Sequence, residues 1–597
     1  MKRIVGNDFL GAQPIFLLEI TWGGREFRFS SFPLDLDTET GGSIHFFGGL
    51  EDPEWVESMA EISSSPENNS IPIEVVFPVN LLEEFFQFGR SLETATGELS
   101  IVTERKGVIL QTYEARTRLF SGDVMQPIIG DPERPNGYAA FSLERKPNNK
   151  PVPIIKENGF FEFLKSLDAI TPVTPGWVSW PFYDFSDNKV YPVVFGKPDK
   201  YVSTGQQGNV NLTNLKATPA FIVYAETQSV GGFYELYTKF WLCISLGSVD
   251  AATVTIYDYQ GNSKSGLLVQ EIETEEGNVI SYVICQFADY NGGSPIIVDG
   301  IVNPWITENG NAFGFNQGSA ETDDPKYWVS WSGGGGILNT NGTGYLEGAG
   351  DVLLHFMRQA KIEIDFNAWA NVAGYLNGWK LAGYINDPEM TAYKFLEDNV
   401  FPLVPVYAVN GPDGLRPIIP LIYLSRIPRK LYSIKIDSGF YFVAPIEIEN
   451  EPDDIVNRLH VRYAYSAAHE KLLANLRILP DFTEAKAERM GSNICAISRT
   501  RFGDRFQEVE FGYIVDFSTA LRAAQYIVRK SALPRLTIEI QADVKYAWLQ
   551  LGDIVALDAE DFFMQDFKMQ IIEKSWENGG WLFKMEFQEN IIINRRV

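Results

Sequence analysis

At residues 16–29 the chain reads FLLEITWGGREFRF. Two apolar-rich runs flank Gly23-Gly24, and two adjacent glycines supply the positive φ that a tight two-residue turn requires. The stretch therefore predicts a β-hairpin. A helical pattern at 80–88 and further strand-like runs follow, the latter at Ile73–Phe77, Leu99–Thr103, Gln111–Asp123 and Gly137–Leu143. Five or six strands around one short helix predict a small, closed, tube-like β-barrel over residues 1–150.

The other end of the chain has the same character. A long helix is predicted over Asp516–Ser531, because Leu521, Ala524 and Val528 share one face and Pro534 follows its end. Four strand-like runs come after it, at Arg535–Ala542, Ile554–Asp558, Met569–Trp576 and Leu582–Phe587. They predict a second tube-like β-barrel, with one long helix, over residues 436–597.

Three further segments lie between the two ends. Residues 151–200 are read as a connection. Residues 201–345 hold four lysines, no arginine and 14 carboxylates, and their short apolar runs between turns predict an inserted acidic all-β sandwich. Residues 346–435 predict a small α/β middle domain, with a helix starting at Asp387-Pro388 and a hairpin at Asn410–Gly414. The fold class is mainly β with some α (α+β), in several domains.

Length and charge narrow the class of protein. The chain has 597 residues and a formal net charge of −27, which argues against a protein that grips phosphate backbones over its whole surface. Three cysteines make no disulfide framework, so synthesis in a reducing host cytoplasm is expected. About 18 consecutive apolar residues, as a membrane span needs, occur nowhere.

The search for catalytic chemistry is mostly negative. His469-Glu470 begins like a zinc-protease helix, but Leu473 stands where the second histidine belongs. Gly196-Lys197 lacks the hydroxyl residue and the upstream glycine of a phosphate loop. We therefore assign no catalytic, cofactor-binding or metal-binding residue and expect no enzyme activity and no cofactor.

Two alternatives remain open in the acidic segment. Paired carboxylates such as Glu271 with Glu273 and Glu275 with Glu276 are the side chains that a glycoside hydrolase needs. Trp328, next to a glycine-rich loop, is the kind of side chain on which a sugar ring stacks. The alternatives are a cell-wall glycoside hydrolase and a carbohydrate-binding tail protein that uses residues 201–345.

A set of motifs resembles one known family. The motifs are NRLHVRY at 457–463, SRTRFGDR at 498–505, LQLGDIV at 549–555, GWKLAGYI at 378–385, RLFSGD at 118–123 and YPVVFG at 191–196. Together, and in their order along the chain, they resemble the tail-hub (baseplate hub) proteins of tailed bacteriophages and gene transfer agents. Residues 201–345 have no counterpart in a minimal hub of this family.

The resemblance implies a structural virion protein. Hubs of this family are homotrimers in which two tube-like barrels per chain alternate around a ring, so three chains present six barrels to a hexameric tail tube. The implied partners are a tail tube or distal tail protein, tail tip, spike or fibre proteins, DNA passing through an acidic lumen, and a host-surface glycan. The implied location is the virion tail, at its baseplate or tip.

Overall fold

The computed structural model describes a large part of the chain in separate stretches. They are residues 13–51, 53, 56–58, 70–76, 95–131, 134–144, 154–155, 177–180, 190–198, 218–230, 235–249, 254–257, 268–273, 279–288, 295–298, 301–307, 327–331, 336–337, 339, 344–360, 362–411, 414–420, 431–436, 440–442, 447–449, 455–466, 471–480, 489–543, 546, 548–560, 564–577 and 580–588. The predicted helices at 80–88 and 159–167 lie outside these residues.

The N-terminal region is built from ten strands. They are β1 (Gln13–Trp22), β2 (Arg25–Ser30), β3 (Leu34–Asp37), β4 (Ser43–Gly48), β5 (Val56–Ser58), β6 (Ser70–Val76), β7 (Thr96–Arg105), β8 (Val108–Ile109), β9 (Thr117–Asp131) and β10 (Arg134–Glu144). All except β5 form one sheet in the order β3-β4-β2-β1-β7-β9-β10-β6, with β8 on β7. The predicted hairpin is confirmed: β1 pairs with β2 across Gly23 and Gly24, both at positive φ.

Strand alternation gives this sheet two different faces. Phe16, Leu18 and Ile20 are fully buried on one face, in a large core that extends beyond the N-terminal region. Ile15 and Leu17 point to the other face, where β3 and β4 cover them in a small separate core. The sheet is therefore buried on both sides near the start of β1.

Three residues after β4 connect β2, inside the strand order, with β6, its last strand. The Leu50 N–H donates to the Ser30 carbonyl in β2 at 3.0 Å, while the Val76 N–H of β6 donates to the Gly49 carbonyl at 2.8 Å. Leu50 also bridges Val75. The paired strands do not close into a barrel among the described residues, but this closing segment, Gly49–Glu51, hydrogen-bonds to both β2 and β6.

The connection and the inserted segment follow. Their strands are β11 (Ile154–Ile155), β12 (Trp177–Trp180), β13 (Val190–Tyr191), β14 (Val193–Phe195), β15 (Thr218–Val230), β16 (Glu235–Leu246), β17 (Val254–Tyr257), β18 (Leu268–Glu273), β19 (Val279–Ala288), β20 (Pro295–Val298), β21 (Ile301–Thr307) and β22 (Tyr327–Trp331). One sheet runs β17-β22-β15-β16-β19-β18, with β12 on β15, and β20 pairs only with β21. The sandwich expected for residues 201–345 stays a prediction, because the described strands place six of these elements in a single sheet.

The two ends of the insertion are held together. The Gly336 N–H donates to the Gly196 carbonyl and the Ile337 N–H to the Val194 carbonyl, both at 2.8 Å. A Cβ at Gly336 would lie 2.1 Å from the Val194 oxygen, so only glycine permits this approach. Residues 197–335 thus leave and rejoin the rest of the chain at one point.

The middle region supplies helices around a second core. Its elements are α1 (Ala349–Gln359), α2 (Phe366–Leu376), β23 (Gly383–Ile385), α3 (Ala392–Asn399), a 3₁₀ turn (Phe401–Leu403), β24 (Tyr407–Gly411) and β25 (Gly414–Ile418). The hairpin predicted at 410–414 is confirmed by the pairing of β24 with β25. The predicted helix start at Asp387 is wrong, because the Asp387 side chain accepts from the Glu389 N–H in a turn, and Thr391 caps α3 instead.

The C-terminal region contains two sheets and two helices. Its elements are β26 (Tyr432–Lys435), β27 (Phe440–Phe442), β28 (Glu447–Glu449), β29 (Arg458–Ser466), β30 (Lys471–Leu479), β31 (Arg489–Gly491), α4 (Asn493–Phe502), β32 (Phe506–Phe511), α5 (Phe517–Ser531), β33 (Arg535–Ala542), β34 (Ile554–Ala559), β35 (Met564–Glu577) and β36 (Gly580–Gln588). The predicted long helix is confirmed as α5, with Asp516 accepting from the Thr519 N–H at 3.0 Å.

These elements divide between the two cores. The sheet β31-β30-β29-β32, with α4 and α5, packs on the helices of the middle region. The second sheet runs β26-β34-β35-β36-β33-β27, with β28 on β33. Its first and last strands are neighbours in sequence, and the Tyr546 ring lies 6.0 Å from Tyr432 and 3.9 Å from Phe440. The molecule is therefore mostly β, with several sheets and few helices in its described parts.

We predict that Gly49→Ala opens the closing segment. Gly49 has φ +117°, and a Cβ there would lie 2.8 Å from the Val76 carbonyl oxygen. Strain and contact together should cost about 2–3 kcal/mol. Gly107→Ala is the matched control, because Gly107 has φ +80° with nothing within 4 Å of the added Cβ, and should cost about 1 kcal/mol. Equal urea midpoints for the two variants would contradict the role given to Gly49.

Candidate assembly site at the junction of the terminal sheets

The two terminal sheets repeat one strand order. In the N-terminal sheet the sequence-first strand β6 pairs with β10, which continues through β9 to β7. In the C-terminal sheet β33 pairs with β36, which continues through β35 to β34. In each unit, one strand pairs with the last strand of the three-stranded antiparallel meander that comes after it in the sequence. The flanking strands differ, since β1 is antiparallel to β7 whereas β26 is parallel to β34.

The middle strand of each meander is irregular at a similar place. β9 pairs with β7 as far as Asp123, and its pairing with β10 shifts just beyond, opposite the stretch from Ser142 to Ala140. β35 pairs with β34 up to Gln570, and its pairing with β36 shifts between Ile571 and Glu573. A bulge bends a strand and changes the direction of its edge. Both middle strands therefore extend past their first partner after a bulge.

A strand from the N-terminal region completes the C-terminal sheet. β5 pairs antiparallel with the extended part of β35, with Val56 opposite Ser575 and Ser58 opposite Glu573. An extended segment that adds to a sheet edge satisfies backbone groups that otherwise remain unpaired. The two terminal sheets are consequently linked by backbone pairing as well as by the chain.

The junction also has a shared apolar core. The Phe16 ring of β1 lies edge-on to Trp576 of β35, with centroids 6.1 Å apart, and Trp576 contacts Trp581 at 5.1 Å. One cluster of buried residues includes side chains from both sheets. The two terminal sheets therefore share one apolar core.

A buried cation lies beside this aromatic group. Lys574 is 3% exposed, and its Nζ is 4.3 Å from the centroid of the Trp581 ring. The register places Glu57 of β5 opposite Lys574. An ammonium group over an indole face is stabilised by the negative charge of that face. Lys574 can therefore contribute to the junction although its ammonium group is shielded from solvent.

The opposite face of the N-terminal sheet carries a ladder of ion pairs. Arg116, 8% exposed, contacts Glu19 at 3.0 Å and Glu98 at 2.8 Å. Arg28 contacts the other oxygen of Glu19 at 3.2 Å. Tyr113 donates to Glu19 at 2.8 Å, and burial together with this bond raises the pKa of Tyr113 to about 12. The ladder holds the segment after β8 against the sheet, and its charged side chains are engaged with one another.

The residues that the sequence offered for catalysis do not converge. Glu271 is exposed and accepts from Ser248 at 3.2 Å, whereas Glu275, Glu276 and His469 lie outside the described residues. Trp328 is in β22, between β15 and β17. Across the described stretches, no group of three or more His, Cys, Asp or Glu side chains is arranged to hold a metal ion.

Two further histidines make separate ion pairs. His45 lies 2.8 Å from Asp35, and His460 lies 3.5 Å from Glu508. Asp35 belongs to β3, which pairs with β4. Within the described part of the chain, no helix is long and apolar enough to cross a membrane.

Sequence reasoning missed the junction residues. Trp576 and Phe16 were placed in strands, but neither was recognised as a contact between the two ends. The available signal was the pair Trp576 and Trp581, at the turn between the strand-like runs 569–576 and 582–587. Two large indole side chains next to a turn need other apolar side chains to bury them. β5 has three residues and no apolar period, so the sequence contained no comparable signal for it.

Comparison with known proteins gives little. No family model matches the sequence, and no curated protein matches it. Among solved structures, the chain is similar to one described as the virion of a native gene transfer agent particle, with 11% sequence identity and a TM-score of 0.39. The similarity covers 68% of this chain and 86% of that chain. A similarity at this level assigns no function to the chain.

We predict that Trp576→Ala loosens the contact between the terminal sheets. The loss of a buried indole should cost about 3–5 kcal/mol. Trp548→Ala is the matched control, because Trp548 contacts Tyr432 at 4.9 Å inside the C-terminal unit. Hydrogen exchange at the β1 amides around Phe16 should accelerate in the first variant only. Equal acceleration in both would show that Trp576 has no special part in the junction.

We predict unequal effects for two arginines that contact the same Glu98 oxygen. Arg116→Met leaves Glu19 and Glu98 largely buried without their shared cation, at a cost of about 3 kcal/mol. Arg118→Met is the control: Arg118 lies 3.1 Å from Glu98 and is 47% exposed, so its loss should cost at most about 1 kcal/mol. Urea unfolding of both variants measures the difference, and similar values would contradict the burial argument.

Proposed function

We propose that this chain is a structural virion protein, a hub that joins a hexameric tail tube to a trimeric tail tip. The observation that carries the proposal is the repeated order β6-β10-β9-β7 and β33-β36-β35-β34 in two sheets that pack side by side. A chain with two similar units offers two similar surfaces. Three such chains in a ring then present six, which resolves a mismatch between threefold and sixfold partners.

The closed character of the two units belongs to this proposal. The closing segment Gly49–Glu51 hydrogen-bonds to β2 and to the edge strand β6 of the N-terminal sheet, and Tyr546 contacts the strands at both ends of the C-terminal sheet. We interpret each unit as a tube-like barrel with an interrupted wall. The boundaries 1–150 and 436–597 enclose the two units except for β26 (Tyr432–Lys435), which lies just before residue 436, and residues 455–533 form a part of the second segment that packs elsewhere.

The remaining regions have supporting roles in this proposal. Residues 346–435, with α5 and its sheet, form the body on which residues 197–335 are inserted. The insertion is the part of the hub that contacts neighbouring tip proteins or a host-surface glycan. Its two ends are held on the body by the hydrogen bonds at Gly196 and Gly336.

The charge fits a passage for DNA. A lumen with excess carboxylates repels phosphates, so DNA that leaves the virion makes no series of adhesive contacts. The net charge of −27 supports an acidic lumen. The hub would then act as a guide for genome ejection and as a virion tail component, without catalytic activity.

We predict that the purified chain assembles as a homotrimer. Light scattering coupled to size exclusion should give about three times 67.2 kDa, and image averages should show a ring with pseudo-sixfold symmetry and a central opening. Trp576→Ala, which weakens the junction, should reduce the trimer fraction, whereas Trp548→Ala should not. A monomer at all concentrations, with no incorporation into tails, would overturn the proposed function.

A further inference from the structure

The strand β32 forms one margin of the sheet that packs on the middle region. In the order β31-β30-β29-β32 it pairs with β29, and the two strands are parallel. The side chains of β32 have the exposure of an edge strand: Phe506 is 63% exposed and Glu510 is 58% exposed. Gln507 and Glu508 are exposed as well, and neighbouring side chains point to opposite faces of a sheet. Because β32 is accessible on both faces, its edge away from β29, called here the outer edge, is open to solvent.

The backbone groups of β32 point alternately to β29 and to the outer edge. The Arg458 N–H of β29 donates to the Arg505 carbonyl at 2.9 Å, and the register pairs Arg458 with Phe506. In a parallel ladder, the residues on either side of Phe506 then bond to β29, whereas Phe506 directs its own N–H and C=O away from β29. The same alternation turns the backbone groups of Glu508 and Glu510 to the outer edge. These groups are available to an added strand.

The side chains beside the outer edge carry a regular charge pattern. Glu508 and Glu510 stand opposite His460 and Arg462 of β29 on one face of the sheet. The Arg462 guanidinium lies 2.6 Å from Glu510, and His460 Nδ1 lies 3.5 Å from Glu508. Both carboxylates are nevertheless accessible, because Glu508 is 43% exposed and Glu510 is 58% exposed. A strand added at the outer edge places its side chains next to these carboxylates, so basic residues at alternate positions would complement them as β29 does.

We propose that the outer edge of β32, residues 506–510, binds an extended polypeptide with basic side chains at alternate positions. Backbone pairing supplies the contact, as in strand addition at other sheet edges. Phe506, the most exposed large apolar side chain in the described part of the chain, adds an apolar contact. Charged side chains on an edge strand oppose non-specific pairing, and these carboxylates restrict pairing to a strand of opposite charge. The net charge of −27 also attracts a basic partner from a distance.

Residue-resolved hydrogen exchange on the full-length chain tests this edge, with a short blocked peptide of alternating arginine and valine as the probe. At saturating peptide, the amides of Phe506, Glu508 and Glu510 should exchange at least about tenfold more slowly, because the peptide accepts their hydrogen bonds. The amides of Gln507 and Val509 are the internal control, since they donate to β29 with or without peptide. The same peptide with glutamate in place of arginine should leave all these amides unchanged.

Two pairs of variants separate the backbone contribution from the charge contribution. Phe506→Pro removes an outward N–H and keeps the bonds to β29, so it should bind the arginine peptide about fivefold more weakly than Phe506→Ala, which keeps that N–H. Glu510→Lys should weaken binding of the arginine peptide about fivefold through repulsion across the paired strands. Glu389→Lys is the matched control, because Glu389 is an exposed carboxylate outside this sheet, and it should leave binding unchanged.

Each outcome decides for or against this edge. Slower exchange confined to Phe506, Glu508 and Glu510 supports the proposal. Binding of the arginine peptide without slower exchange at these amides overturns it, because charge alone would then explain the attraction. Equal effects of the arginine and glutamate peptides, or no change up to the solubility limit of the peptide, also overturn it. The proposal is independent of the hub function, because the outer edge of β32 belongs to a single chain, and the oligomeric state tests that function separately.

Discussion

The architecture depends on the need of a long strand to satisfy its backbone along both edges. β35 has 14 residues, which is longer than either neighbouring strand of its sheet. Its extended half, after the bulge, projects beyond β34, and among the described strands β5, from the N-terminal region, covers that edge. Because unpaired backbone groups in a covered position are costly, the two chain ends are brought together. Phe16, Trp576 and Trp581 then fill the space beside the pairing, so backbone pairing and apolar burial act at the same point.

The second core includes the part of the chain that leaves the C-terminal unit after β28 and returns to it at β33. Between β28 and β33 the chain forms the sheet of β29–β32 with α4 and α5, and this whole excursion packs against α1–α3 rather than against the terminal sheets. Phe195, Phe356 and Phe395 meet there at ring distances of 4.6–5.9 Å. The insertion is anchored on the same core through Cys243, Leu246 and Tyr282. The insertion therefore shares a core with the body that carries it.

Local elements were predictable from the sequence and long-range contacts were not. The turn at Gly23-Gly24 and the cap at Asp516 depend on residues next to each other, and both are confirmed. Asp387 is a residue type that caps helices as well, but its side chain accepts a hydrogen bond from the Glu389 N–H in a turn. The cap of α3 is instead Thr391, whose hydroxyl accepts from the Lys394 N–H. Lys574 in an amphipathic strand reads as exposed, but it is buried beside the β5 pairing with its Nζ over the Trp581 ring. The closing segment Gly49–Glu51 has no pattern of its own, because its partners are β2 and β6, two strands formed by other residues.

The distribution of charge follows from the same architecture. Residues 1–150 contain 13 basic and 23 acidic side chains. Three of the arginines, Arg28, Arg116 and Arg118, are bound to Glu19 and Glu98 on one face of the sheet. Those pairs neutralise each other at short range, so the surplus carboxylates elsewhere in the N-terminal unit determine its long-range field. In the ring proposed above, that field would act on a polyanion that passes through the centre. The ion-pair ladder therefore contributes to the proposed passage indirectly, because it removes arginines from the surfaces that would otherwise hold phosphate.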